Sequence, residues 1–148
     1  MKKMVVWLAL LLMAVLLTPA LAKAPVKVDV YASQIYVPVG SNVKVYVKVQ
    51  AVGGEVSGQL MVKIRKDIIV LPDQDYVSFT KYINLAPNQV ETVYMGTFVA
   101  KDKTTDDPWA VGSVREYFPE VYFNGQRIDP FAGINPSNPS DRPFVKTY

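Results

Sequence analysis

Residues 42–52 read NVKVYVKVQAV, and the alternation within them decides the fold class. Val43, Val45, Val47 and Val49 fall on one side of an extended chain. Lys44, Tyr46, Lys48 and Gln50 fall on the other. A period of two over this length is the mark of a strand with one buried face. The β-branched valines suit a pleated surface, where their restricted χ1 costs little. Gly53-Gly54 follows, a pair that tolerates positive φ, and residues 55–66 alternate again. There Val56, Leu60, Val62 and Ile64 point one way and Lys63 and Arg65 the other, with Gly58 as the expected site of a bulge. Read by pattern alone, the two stretches form a hairpin turned at Gly53-Gly54.

The same logic extends outward. Residues 26–31 alternate through Val26, Val28 and Val30, and residues 35–37 make a short piece stopped by Pro38. Residues 68–71 are a short apolar run ended by Pro72-Asp73. Residues 76–83 read as a strand with Val77, Phe79 and Ile83 on one side, and residues 85–88 as a turn. Residues 90–100 are two-sided, with Tyr94 and Phe98 on one face and Val93, Met95 and Val99 on the other. After a polar loop over 101–108, strands are expected at 111–117 and 121–123. Asn124-Gly125 then signals a two-residue hairpin into 126–128. No segment carries a helical stripe. Seven or eight short strands at this spacing predict an all-β, two-sheet β-sandwich over residues 23–128, with a closed barrel as the other candidate. Residues 129–148 are a Pro/Asn-rich tail with Pro130, Pro136, Pro139 and Pro143, ending in an alternating stretch, 144–148, that can still pair.

The start of the chain has a different character. Lys2 and Lys3 precede an unbroken apolar run over residues 4–17; Thr18-Pro19 breaks it, and Ala20-Leu21-Ala22 is a small-x-small cleavage pattern. Residues 1–22 therefore read as a signal peptide, and kept in place they would be a marginal membrane anchor. Either way the domain is expected outside the cell or at its surface, with the membrane touched only through an uncleaved leader. The net charge of +3 for the whole chain falls to near zero once the leader's lysines go. A near-neutral domain without a basic cluster gives no footprint for nucleic acid; the densest patch, Lys63, Arg65 and Lys66, reads as a solvated strand face.

The chain has no Cys and no His. That removes disulfides, thiolate chemistry and the Ser-His-Asp triad, and leaves proton transfer to carboxylates, lysines or tyrosines with shifted pKa values. No enzyme is expected, and no cofactor beyond calcium. Asp73 and Asp75 in one loop and Asp106 and Asp107 in another offer the hard oxygen ligands that calcium takes, although Asp is also an ordinary turn residue. Glu116 and Glu120 flank Tyr117-Phe118-Pro119 and form a carboxylate pair of the glycosidase type, or two solvent-facing strand residues. Trp109, Tyr117 and Tyr122 belong to a late aromatic cluster that suits either a sugar-binding face or the core.

Residues 39–49, Gly53, Leu85-Ala86-Pro87 and the strand over 90–98 together resemble the CARDB-type immunoglobulin-like domains. These are surface and secreted modules linked to cell adhesion; where they usually carry Asn two residues before the turn glycine, this chain has Ala51. The resemblance implies an immunoglobulin-like two-sheet β-sandwich and an extracellular location, and carries no catalytic residues. The expected function is that of a secreted or cell-surface module acting in protein binding, adhesion or extracellular assembly, with envelope or extracellular proteins as partners. Two alternatives stand beside it. One is a carbohydrate-binding module taking glycans. The other is a filament subunit that self-associates by donating residues 23–30 or 144–148 to a neighbour's sheet.

Overall fold

The computed structural model describes residues 25–128 and 144–148. The predicted leader, 1–22, and most of the tail, 129–143, lie outside the described residues. Among the described residues the secondary structure is all β: β1 Val26–Ala32, β2 Tyr36–Val37, β3 Ser41–Ala51, β4 Val56–Ile68, β5 Gln74–Leu85, β6 Val90–Ala100, β7 Val114–Phe123, β8 Gln126–Ile128 and β9 Lys146–Thr147. They form a three-stranded sheet in the order β1-β3-β6, a four-stranded sheet in the order β5-β4-β7-β8, and a parallel pair, β2-β9. The two larger sheets share one apolar core, so the arrangement is that of a β-sandwich.

β3 sits at the centre of its sheet. Val43, Val45, Val47 and Val49 are all buried. Val49 opposes Val28 and Val47 opposes Val30 on the β1 side, and Val43 opposes Phe98 on the β6 side. Across the slab lie Leu60, Val62 and Ile64 of β4 with Val121 and Phe123 of β7, also buried. The hairpin expected between β3 and β4 does not form. β3 pairs with β1 and β6, and β4 pairs with β5 and β7, so the chain changes sheet at residues 52–55. A tight type I′ hairpin needs positive φ at both central residues. Here Gly53 has φ 88° and Gly54 is not among the positive-φ glycines. Two alternating strands bury their valines equally well facing each other across the core or lying side by side, so the pattern alone cannot choose.

Two bulges explain further departures. In β6 the register shifts opposite Val45/Tyr46: Gly96 opposes Val45 and Tyr94 opposes Tyr46, which leaves Met95 as the extra residue. The shift changes which parity faces inward. Met95 and Phe98 are both buried, and Tyr94 is exposed, so the two faces expected for this strand are mixed. Gly96 lies under the Phe79 ring, where a Cβ would collide with it. In β5 Tyr76 is the extra residue, since Arg65 opposes Asp75 and Ile64 opposes Val77. Gly58 is in register with Ile83 and is no bulge. It is a close approach, for a Cβ there would meet the Asn124 side chain and the Phe123 ring.

The two strands expected at 111–117 and 121–123 are one, β7, which starts only at Val114 and runs straight through Pro119. The alternation of backbone direction accounts for the proline. Tyr117 exchanges both backbone hydrogen bonds with Val145, and Val121 pairs with Ile128 on that same edge. Pro119 lies between them and faces that edge too, in the gap between β8 and Val145, where its missing N–H breaks no ladder bond. Asn124 and Gly125 have φ 48° and 79°, the signature of the type I′ turn the sequence announces. The last residues complete the sandwich. Lys146 and Thr147 pair in parallel with Tyr36 and Val37, and Val145 and Thr147 are buried.

Candidate functional site

Three features of the surface and its margins carry chemistry. The first is the outer face of the four-stranded sheet, built from the even positions of β7 and their neighbours. Glu120 opposes Lys63, Phe118 opposes Arg65 and Tyr122 opposes Met61. Glu120 is only 7% exposed, a rare state for a carboxylate without partners. It has three. The Arg65 guanidinium donates to it at 3.1 Å, the Tyr122 hydroxyl donates at 2.6 Å, and Arg127 stands at 3.8 Å. Burial pushes the Glu120 carboxyl up, but the hydrogen bonds from Tyr122 and Arg65 and the charge of Arg127 outweigh it and hold it below the usual range. The same bond, with some burial, pushes the Tyr122 phenol up. Arg65 also donates to Asp75 at 2.9 Å and lies 5.9 Å from the Phe118 ring centre. An open groove of about 430 Å³ runs alongside, and Arg65, Phe118, Glu120, Arg127 and Phe144 are among its walls.

The second feature fastens the C-terminal residues. The Tyr117 hydroxyl, 1% exposed as a residue, donates to the Asp102 carboxylate at 2.7 Å and accepts from the Asp102 backbone N–H at 2.9 Å. Lys66 pairs with the same carboxylate at 2.7 Å. Burial pushes Asp102 up, yet Lys66 and the Tyr117 hydroxyl bring it below its ordinary value. Burial and the Asp102 bond together push the Tyr117 phenol well above the usual range. Thr104 and Thr147 hold each other: the backbone N–H of each donates to the other's hydroxyl at 2.9 Å. The Thr147 hydroxyl in turn donates to the Asp102 carbonyl at 2.7 Å.

The third feature is apolar. Residues 69–72 and 109–113 meet at one end of the sandwich, the end remote from Val26. Ile69 donates to the Ser113 carbonyl and accepts from the Gly112 N–H, both at 3.0 Å. Leu71 lies against Gly112. Around this junction Trp109, Val70, Val111 and Leu71 are 87%, 73%, 59% and 49% exposed. Val70 has φ 67°, a left-handed backbone that a β-branched residue adopts only under strain.

Against this geometry the residues singled out from the sequence divide. Asp75 is bonded to Arg65 and Lys63. Asp73 accepts from the Ile68 N–H. Asp106 pairs with Lys146 at 2.8 Å, and Asp107 accepts from the Trp109 N–H at 3.0 Å. Each does turn or ion-pair work, and no group of three or more metal-ligating side chains gathers among the described residues. Trp109, Tyr117 and Tyr122 are not brought together. Tyr117 is in the core. Tyr122 is on the outer face, and Trp109 precedes the far end of β7, eight or more residues and roughly 26 Å along the strand from Tyr122. Glu116 and Glu120 share the outer face about 13 Å apart along β7. Glu120 is held ionised, the reverse of what a general acid needs. The apolar junction has no periodicity of its own: by pattern Val111 belongs to a strand and Val70-Leu71 to a short apolar run. The one available signal was the matched pair Leu71-Pro72-Asp73 and Asp107-Pro108-Trp109.

No family model matches the chain, and no curated protein matches it.

Proposed function

We propose that the chain is an exported, immunoglobulin-like module that works by binding at the cell surface or outside the cell, in adhesion or extracellular assembly, and not by catalysis. The leader-like residues 1–22 support the location. The strand orders β1-β3-β6 and β5-β4-β7-β8 support the immunoglobulin-like reading. The observation that carries the binding reading is the outer face of β4, β7 and β8. Arg65, Glu120, Tyr122 and Arg127 form a preset polar network beside Phe118. Arg and aromatic residues on a rigid sheet are the material of protein interfaces, where they lose little side-chain entropy on binding. Its partner is a protein of the envelope or the extracellular space. A glycan-binding face is less favoured, because the candidate aromatics are dispersed over core, face and loop. Strand donation is less favoured as well. β1 pairs along its length with β3, and residues 144–148 pair with β2 and Tyr117 of the same chain.

The test is photo-crosslinking in the producing cells, with a benzophenone side chain placed at position 127 on the face or at position 82 on the β5 edge. The proposal expects one defined protein adduct from position 127, weakened by Phe118→Ala, and none from position 82. Absence of an adduct from position 127 in cells that export the protein would overturn it.

A further inference from the structure

The four exposed side chains Val70, Leu71, Trp109 and Val111 have no part in the core and none in the outer-face network. Together they present on the order of 500 Å² of apolar surface, the size of the largest such patch on an ordinary monomer and one that often has a use. We propose that this end of the sandwich is a membrane-inserting tip, which sinks into the interface of an electrically neutral lipid bilayer.

The shape argues for a bilayer. The tip projects into solvent: its four side chains are 49–87% exposed, on two loops joined by the Ile69–Gly112 and Ile69–Ser113 bonds. Side chains that project this far need a shaped pocket in a protein partner, whereas a bilayer deforms around them. The area is short of the ~800 Å² per partner that a stable protein interface buries, so a second copy docked tip to tip gains only a weak contact. A shallow insertion of a few side chains, about 5–10 Å deep, is the ordinary mode of interfacial binding. Trp109 suits that depth, with a large ring for the acyl boundary and an indole N–H for the headgroups.

The charges argue for a neutral lipid. Asp67, Asp73 and Asp107 stand at the base of the two crests together with Arg115. Asp67 is 3.5 Å from Arg115, Asp73 caps the Ile68 N–H, and Asp107 caps the Trp109 N–H. Nothing there forms the basic cluster that anionic headgroups select. The display is also prearranged. The strained Val70 turns its side chain and that of Leu71 outward, a cost that packing in the domain does not repay. The tip lies at the C-terminal end of β4, and residue 26 at the other end, roughly 40 Å away along a 13-residue strand. An inserted molecule therefore stands on end, with the β7–β8 part of its outer sheet face free for the partner proposed above; the four tip side chains are none of the residues that carry that face, and neither inference depends on the other.

The test uses the chain from Lys23 onward, which keeps every described strand and in which Trp109 is the single tryptophan, Trp7 belonging to the leader. Phosphatidylcholine vesicles should move its emission to shorter wavelength, and lipids brominated near the headgroup should quench it. Trp109→Ala and Val111→Asn should each weaken vesicle sedimentation about tenfold with unchanged melting temperature, since both side chains are exposed. Adding phosphatidylglycerol should give no gain. An unchanged Trp109 spectrum at millimolar phosphatidylcholine would overturn the proposal. So would binding that appears only with phosphatidylglycerol, or loss of the position-127 protein adduct on Trp109→Ala without any vesicle effect, which would assign the tip to a protein partner.

Discussion

Val70 and Gly96 show at the level of single residues how the backbone was chosen over the side chain, and the reverse. Val70 holds φ 67° with its side chain in solvent, so no packing is gained from the strain. Val70→Gly should raise the unfolding free energy by about 0.5–1 kcal/mol, the strain relieved less the entropy that glycine adds to the unfolded chain. Denaturant titration checks this, and a loss of stability would contradict it. Gly96 is the opposite case. Its missing Cβ lets the Phe79 ring lie on the β6 backbone. Gly96→Ala should cost about 1–3 kcal/mol through overpacking, and Phe79→Leu in the same chain should return part of it; a simple sum of the two costs would contradict the contact. Neither feature was legible in the sequence, because a left-handed valine breaks propensity and a glycine in a strand points equally to a bulge or a close approach. The valines at 43, 45, 47 and 49 were legible, because burial of one sheet face imposes a period of two.

At the level of elements, the bulges and the last strand matter most. A bulge is one residue that changes the parity of everything after it. Met95 in β6 therefore hid Phe98 and Met95 from a single-face reading, although the strand itself was plain. β9 has two residues and no pattern of its own; its place comes from partners far along the chain, Thr104, Tyr117 and Val37. Ending the chain at Pro143 removes the buried Val145 and Thr147 and leaves the Thr104 N–H and the Asp102 carbonyl without their bonds. The expected cost is about 3–5 kcal/mol from lost burial and unpaired polar groups. Amide exchange should speed up at Val39 and Thr104, which donate to Tyr148 and Thr147. Unchanged exchange there would mean that the C-terminal residues do not close the sandwich in solution.

Across the whole molecule, the absence of Cys and His leaves stability to the shared core and to carboxylates held by charged and hydroxyl partners. Glu120 and Asp102 titrate below their ordinary values of 4.5 and 3.8 in the folded state. Groups shifted down contribute stability that is complete above those ordinary values. It is lost as pH falls through them toward the depressed folded values. The protein should therefore melt at lower temperature as pH drops below about 4.5, and Glu120→Gln should flatten that dependence while leaving the tip's vesicle binding alone. A slope unchanged in Glu120→Gln would contradict the assignment. The candidate site was only half legible at this scale. Residues of the outer face sit in the right strands by pattern, but which strands adjoin is a matter of topology. The placement of β4 beside β7, which brings Arg65 to Glu120, follows from the chain changing sheets after Gly53.

That crossing is the claim on which the two-sheet arrangement and both surfaces depend, and cross-strand proton contacts in solution test it directly. The account predicts backbone contacts from β3 to both neighbours, as in Lys48 to Asp29 and to Thr92, and from Lys63 to Ser78 and to Glu120. A ladder of contacts joining residues 43–51 to residues 56–64 as a hairpin would contradict it.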